Sequence, residues 1–432
     1  MNNTPNNDFE PTKPIERNLQ GQPTQQELDS IEYITPVKKS KHKHKHSHKH
    51  YHTASNSSTP VSDTTKDDAD DFVYARHHSK KDKKKKKAIK VLIIIACVLL
   101  ALVIVAASTL FIFNSVGKSA MHNYKDMTIE PSPEIEKVEQ VTNSGKTITY
   151  NGKTYSFNED VATVVLMGID TKDFENPDRV VGEGGQADAI YIAAIDTKSD
   201  KVSILGVSRD SMVDVNVYNL EGGFLRTENM QLCLSYAYGD SAHTSCENTL
   251  TSLERLFYGM QYNTYFSIDT RALETLTDTV GGVTLTSLVD FNSVYYSRTI
   301  KAGETVTLYG KDATKYVRER DTTELDSNND RMARQKQFMT AFLSQIWGSV
   351  KSNPAMITDL YGTISDNSTT NLTPSKMTYL TTSAISMLDS YKEIEFVNVP
   401  GTVKKGEYAE FIVDENALME IMLDLFYIDV TQ

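Results

Sequence analysis

VATVVLMGID, residues 161–170, decides how this chain folds. Nine residues rich in β-branched side chains run straight into Asp170. A strand with one wet face would alternate apolar and polar residues. This one does not, so it reads as a central strand covered on both sides. DAIYIAAID (Asp188 to Asp196) and KVSILGVSRD (Lys201 to Asp210) repeat the pattern. Downstream, CLSYAYGDSAHTSCENTLTSLERLFYGM reads as helix, loop, helix, and TYFSIDTRALETLTDTVGG as a short strand and a helix closed by glycines. GVTLT and EIEFVNVPG are further strands. GKDATKYVRERD, NNDRMARQKQFMTAFLSQIWGSV, TPSKMTYLTTSAISML and ENALMEIMLDLF are helices. Upstream, Asn151-Gly152 lies between two β-prone runs and predicts a hairpin from Thr147 to Phe157. The expected fold is α/β: one large domain with a central, mostly parallel or mixed sheet covered by helices on both faces.

Further upstream, VLIIIACVLLALVIVAASTLFIF (Val91 to Phe113) is 23 residues without charge or proline. That length crosses about 30 Å of hydrocarbon as a helix. Ninety residues precede it, and it is longer than the core of a cleaved signal peptide. KKDKKKKKAIK abuts its N-terminal end, whereas HNYKDMTIEPSPEIE beyond it is net acidic. The lysine block places the N-terminus in the cytoplasm and everything after about Asn114 outside, and it suits anionic headgroups. Four segments follow: a disordered basic cytoplasmic tail (1–90), a transmembrane helix (91–113), an extracellular spacer (114–145) and an extracellular domain (146–432).

The formal net charge of −12 hides a division along the same line. Residues 1–90 carry 18 lysines and arginines against 12 acids, a net of +6, so the rest of the chain stands at −18. An acidic outer domain is unsuited to nucleic acid. The tail is poor in long apolar residues and cannot repay its chain entropy by burial. His42, His44, His46, His48, His50 and His52 alternate within it, as a pH-sensitive polycation beside the membrane or a weak site for a transition metal. Three cysteines are too few for a disulfide scaffold, although Cys233 and Cys246 are both outside and a bridge between them is open.

Dinucleotide and phosphate-loop glycine motifs, G-x-S-x-G, H-E-x-x-H and C-x-x-C are all absent from the outer chain. Its histidines are His122 and His243, too few for a histidine zinc site and not clustered as a Ser-His-Asp triad needs. What remains is acid at strand ends. Asp170 closes the first run, Asp188 opens the second, and Arg209-Asp210 close the third. Ligands of open α/β sheets gather beyond strand ends, where two carboxylates and an arginine can hold a hard cation and a phosphate. Each aspartate alone is equally a turn starter. YVRERDTTELDSNNDRMARQ (Tyr316 to Gln335) adds Arg318, Arg320, Arg331 and Arg334, whose planar forks match phosphate oxygens. Ion pairing along a helix surface is the plainer use of the same residues.

VVLMGIDTK, QADAIYIAAID, VSILGVSRDSMV, SYAYG, TDTVGGV, LYGKDATKYVRERD and DRMARQKQ, in this order and spacing, resemble the LytR-CpsA-Psr family of bacterial cell-envelope proteins. The resemblance runs from about Asn151 to the C-terminus. It implies an extracellular transferase that moves a glycopolymer, such as wall teichoic acid or capsule, from a polyprenyl-pyrophosphate carrier onto peptidoglycan through a phosphodiester. It implies Mg²⁺ held by Asp170 and Asp188. It implies pyrophosphate binding by Arg209, Arg318, Arg320, Arg331, Arg334 and Gln335, with Arg209, Arg318, Arg320, Asp188 and Asp210 doing the chemistry and one of the two aspartates taking the acceptor proton. The implied partners are the lipid-linked polymer, peptidoglycan and the membrane, not nucleic acid. QLCLSYAYG departs from the family's usual K-I-N-A-A-Y-A-Y-G at Gln231, Cys233, Leu234 and Ser235. A lipid-pyrophosphate pyrophosphatase and a noncatalytic polymer-binding protein are the alternative readings. Met332, Phe338, Phe342 and Leu343 can line a slot for the lipid tail, or simply pack as core.

Overall fold

The computed structural model describes residues 71–432 apart from 125, 172–179, 263, 321–326, 354–355, 357–359, 361, 363–366, 388–393, 407 and 432. The alternating histidines and the rest of the tail before residue 71 lie outside the described residues. The first element, α1 (Asp71–Met121), runs unbroken from the lysine block through the apolar span. Residues 71–90, counted above with the disordered tail, are therefore helical. Lysine, alanine and isoleucine extend a helix readily once the apolar span has nucleated it. The apolar stretch is exposed on every side, as a lipid-solvated helix is. This is a single-pass arrangement, with the lysine block on the cytoplasmic side and the domain outside.

The last turns of α1 bury one edge while the rest stays exposed. Gly117 and Met121 are buried. A β-carbon on Gly117 would lie 2.0 Å from the Ser375 carbonyl oxygen. Asn114 donates to the Thr382 hydroxyl, His122 Nε2 lies 2.9 Å from the Tyr379 hydroxyl, and Thr264 Oγ1 donates to Met121 Sδ at 3.3 Å. The membrane helix is thus packed into the domain. Gly117→Val is expected to destabilise this joint by about 1–3 kcal/mol, the range for overpacking. The readout is faster proteolysis between residues 114 and 122, and unchanged cleavage would remove the close contact.

The segment read as a spacer is packed as well. Tyr124, Met127, Ile129 and Ile135 belong to the main core, and the Ile129 amide donates to the Ser144 carbonyl at 2.9 Å. Charged residues and prolines between these scattered apolar positions hide them from a compositional reading. β1 (Val138–Thr142), β2 (Thr147–Tyr150) and β3 (Lys153–Phe157) form an antiparallel sheet completed by the last strand, β18 (Tyr427–Asp429). The Asn151-Gly152 turn has φ values of 51° and 73° and joins the directly paired Tyr150 and Lys153. These are the positive angles that a two-residue hairpin loop demands.

The three apolar runs are β4 (Val161–Ile169), β5 (Ala187–Asp196) and β6 (Lys201–Val207). They pair antiparallel to one another in the middle of a six-stranded mixed sheet. β7 (Met212–Tyr218) and β8 (Phe224–Gln231) form a hairpin, followed by a short 3₁₀ turn at Leu232–Tyr238 and by α2 (Ala242–Leu256). β9 (Tyr265–Ile268) lies parallel to β4 and leads into α3 (Thr270–Thr279), which Gly281 and Gly282 close with positive φ. Two small antiparallel pairs follow: β10 (Val283–Thr286) with β13 (Thr305–Leu308), and β11 (Phe291–Ser293) with β12 (Arg298–Ile300). Next come α4 (Gly310–Arg318), α5 (Ser327–Ser352), β14 (Ser368–Thr370) on β9, α6 (Pro374–Ser386) and β15 (Glu395–Asn398), parallel to β6. The hairpin β16 (Gly401–Lys405) and β17 (Ala409–Val413) and the helix α7 (Glu415–Phe426) finish the domain.

Helices flank the sheet, and the predicted hairpin and helices are present, except that the first helix read in CLSYAYGDSAHTSCENTLTSLERLFYGM is a short 3₁₀ turn. Phe338 packs in a second core with Val283, Leu308 and Tyr316, and it stacks on Phe342 with ring centroids 6.0 Å apart. These apolar side chains of α5 fill core space. Cys233 and Cys246 are not bridged. The Cys233 thiol lies 3.9 Å from Gln186 Oε1, whereas Cys246 donates to Ser267 Oγ at 3.4 Å. The two thiols serve different neighbourhoods of the core, so their closeness in sequence does not bring the sulfurs together.

Candidate active site

Strand register gathers the acids. Ile169 pairs with Ala187, so Asp170 and Asp188 emerge at the same end of the sheet, and the Asp170 amide donates to the Gln186 carbonyl at 2.9 Å. Ile190 pairs with Val207, and continuing that register two residues brings Arg209 opposite Asp188. The Arg209 guanidinium pairs with Asp188, donates to Gln186 Oε1 at 2.7 Å and reaches Asp210 Oδ1 through Nε at 3.3 Å. From α5, Arg331 reaches the other Asp188 oxygen at 3.4 Å and the Asn328 side-chain oxygen at 2.8 Å. From the end of α4, Arg318 pairs with Asp170. Arg320 is half-buried beside them, with no ion pair among the described residues.

Among the described residues, this site is short of negative charge. Four guanidinium groups meet three carboxylates, and Asp188 is shared between two of them. Arg331 Nε is buried without a hydrogen-bond partner among the described residues. Burial lowers the Arg331 pKa, and although Asp188 opposes this, Arg209 and Arg320 repel its charge. Burial also works against Arg209, but Cys233, Asp188 and Asp210 outweigh it and raise the pKa. The Cys233 thiol is pushed up to about 12, chiefly by burial, and so stays protonated. A buried, incompletely paired cation is costly, and an anion with several oxygens relieves that cost.

The whole constellation lies inside residues 119–425, which match the sequence profile of the LytR_cpsA_psr family. The chain belongs to the LytR-CpsA-Psr family. It is similar to the polyisoprenyl-teichoic acid–peptidoglycan teichoic acid transferase TagU of Bacillus licheniformis, with 28% identity over 218 residues. That match covers 50% of this chain and 61% of the relative, so it spans about three-fifths of that protein's length. The Bacillus subtilis protein of the same name is 25% identical over 292 residues, covering 67% of this chain and 83% of the relative. The solved structure of B. subtilis TagV superposes with a TM-score of 0.49 at 20% identity, over 62% of this chain and 96% of that one.

Within this LytR-CpsA-Psr domain, two of the expected anion contacts are engaged elsewhere. Arg334 donates to the Tyr316 carbonyl at 2.9 Å and to the Glu319 carbonyl. Gln335 donates to the Val317 carbonyl at 3.2 Å and accepts from the Tyr191 hydroxyl at 3.0 Å. Both cap the exposed carbonyls at the end of α4, where cations also suit the helix dipole. Arg334→Ala is therefore expected to lower stability by about 1.5–3 kcal/mol through the lost charged hydrogen bonds. Thermal denaturation should register that loss, with a smaller effect on rate than any change at Arg331. A normal Tm with abolished turnover would return Arg334 to the anion site.

Asp210 is 3% exposed and is held by Arg209 and by Gln231 Nε2 at 3.1 Å, so it sits behind Arg209. Gln186, Gln231, Asn328 and Tyr191 are the neighbours that sequence reasoning missed. They are uncharged, and only the spacing of Asn328, three residues before Arg331 on a helix, signals a shared face. Asp170 and Asp188 are the carboxylates that can hold a divalent cation. Two carboxylates on neighbouring strands, with phosphate oxygens and water completing the shell, suit Mg²⁺. No group of three or more metal-binding side chains occurs among the described residues, and a cation shared with a phosphorylated substrate needs none.

Proposed function

We propose that this protein is a Mg²⁺-dependent phosphotransferase that moves a glycopolymer, with its phosphate, from a polyprenyl-pyrophosphate carrier to a sugar hydroxyl of peptidoglycan. The observation that carries the reading is the convergence of two buried guanidinium groups, Arg209 and Arg331, on Asp188, with Arg331 Nε left without a partner among the described residues. Family membership and the relatives named as teichoic acid transferases support the same class of substrate.

Arg209 and Arg331 bind the pyrophosphate oxygens, and Arg318 and Arg320 close on them from the end of α4. Their forks fix the phosphorus for in-line attack and offset the charge that develops on its equatorial oxygens and on the departing polyprenyl phosphate. When bound at Asp170 and Asp188, Mg²⁺ neutralises part of the pyrophosphate charge. The acceptor oxygen bonds to the phosphorus that carries the polymer. The bridging P–O bond breaks, and its electron pair leaves with the polyprenyl phosphate. Asp188 or Asp210 takes the hydroxyl proton, Asp188 being the more exposed at 17% of its side chain against 5% for Asp210. Asp210 holds Arg209 in place.

The test uses the full chain in lipid, a labelled lipid-linked donor, Mg²⁺ and a peptidoglycan oligomer. Label joined covalently to the oligomer is the expected product. Release of polymer monophosphate without attachment makes the protein a pyrophosphatase. Donor binding with neither product makes it a noncatalytic receptor.

A further inference from the structure

Away from the arginines, three tyrosines gather on one rim of the domain. Tyr295 and Tyr296 stand at the tip of the β11–β12 hairpin and are 61% and 37% exposed. Tyr295 stacks on Tyr309 with centroids 4.4 Å apart and planes inclined by 29°, and it meets Tyr296 edge to face at 4.9 Å. The tip is fixed from below. Asp312, wholly buried in the first turn of α4, accepts from Ser293 Oγ, from the Val294 amide at 2.6 Å and from the Tyr295 amide at 3.4 Å. A buried carboxylate is tolerated only when its acceptors are filled, so this network holds the rings in one arrangement.

The rings continue into a strip of hydroxyls. Tyr296 donates to the Thr307 carbonyl at 3.1 Å. On the exposed face of β10 and β13, Thr284 pairs with Thr307 at 2.9 Å and Thr286 with Thr305 at 3.0 Å. Charges beside the strip cancel in pairs, Arg298 with Glu304 and Lys301 with Asp290. The rim is joined to the arginine site by α4, because Tyr309 precedes its first residue and Arg318 is its last. Nine helical residues separate them by about 13 Å.

Rigid aromatic faces beside neutral hydroxyls fit the pyranose ring, which stacks its C–H face and hydrogen-bonds at its edge. A phosphate polymer would need unpaired cations, which this strip does not offer. An isoprenoid would cover the threonine hydroxyls while offering them no bond beyond those they already make to each other. We infer that the Tyr295–Tyr296–Tyr309 rim binds an uncharged glycan strand, the acceptor backbone, and lays it along α4 toward the arginines. Its role as acceptor rests on the transfer reading above, whereas the binding does not.

The experiment is calorimetric titration of the full chain in lipid nanodiscs with an oligosaccharide of β-linked N-acetylglucosamine, and in parallel with poly(glycerol phosphate). The oligosaccharide is expected to bind the native chain. Its Kd should rise about 3- to 10-fold in Tyr295→Ala, the loss of one stacking ring, and stay unchanged in Tyr295→Phe. Binding of inorganic pyrophosphate should be the same in all three. Failure of the native chain to bind the oligosaccharide, an unchanged Kd in Tyr295→Ala, or loss of poly(glycerol phosphate) binding instead would each overturn the proposal. Oligosaccharide binding with no transfer product keeps the rim and removes the transfer reading.

Discussion

Arg331→Lys is expected to slow transfer by about 100-fold while leaving the protein folded. The substitution keeps the positive charge beside Asp188 but loses the fork and the bond to Asn328. Loss of one or two charge-assisted hydrogen bonds to phosphate, at about 1.5–3 kcal/mol each, accounts for a drop of that size. Stability should change by only about 1 kcal/mol, because Arg209 still neutralises Asp188. Single-turnover rates and Tm, measured on the same preparation, separate the two effects. Wild-type turnover with a markedly lower Tm would make Arg331 a structural residue and remove the main support for a phosphate site.

The second large effect is at Asp170. Asp170→Asn keeps the size of the side chain and removes its charge, so it also releases Arg318 from its ion pair. If Asp170 holds Mg²⁺, the rate at ordinary Mg²⁺ should fall by at least about 100-fold and recover partly at high Mg²⁺, since one amide oxygen remains a weak ligand. Arg318→Gln is the control. It breaks the same ion pair but leaves the carboxylate, so its Mg²⁺ half-saturation should stay put while its rate falls. Mn²⁺ titration followed by electron paramagnetic resonance gives a readout independent of turnover. An unchanged Mg²⁺ curve and unchanged Mn²⁺ binding in Asp170→Asn would take the residue out of the metal site.

Much of this architecture is legible in the chain because one physical signal dominates each part. β4, β5 and β6 are buried on both faces, so their sequences are apolar throughout. Asn151-Gly152 supplies the positive φ angles of its hairpin at little steric cost. The aspartates at the sheet end announce themselves because they interrupt such runs. The β7–β8 hairpin escaped notice because β8 is exposed along nearly its whole length and carries no apolar alternation. The strap through Tyr124, Met127 and Ile129 is invisible for another reason: its buried residues stand three and then two apart, so they keep no single period. Within the site, charge marked the arginines but not their duties. Arg331 and Arg334 are three residues apart on one helix, yet one meets a carboxylate and the other two carbonyls. That division depends on where α4 ends, which only the folded chain fixes.

The packing of α1 against α6 turns the membrane helix into a mast rather than a leash. Past the apolar span, which ends at Phe113, α1 continues to Met121, about 12 Å of helix beyond the hydrocarbon. With Gly117 pressed onto Ser375, that length cannot pay out or swivel. The domain therefore works at one altitude above the bilayer. In the proposed reaction the lipid-borne donor shares that plane and finds it by lateral diffusion in two dimensions. The proposed acceptor strand, by contrast, has to come down to this height, so the glycan within reach is the layer nearest the membrane.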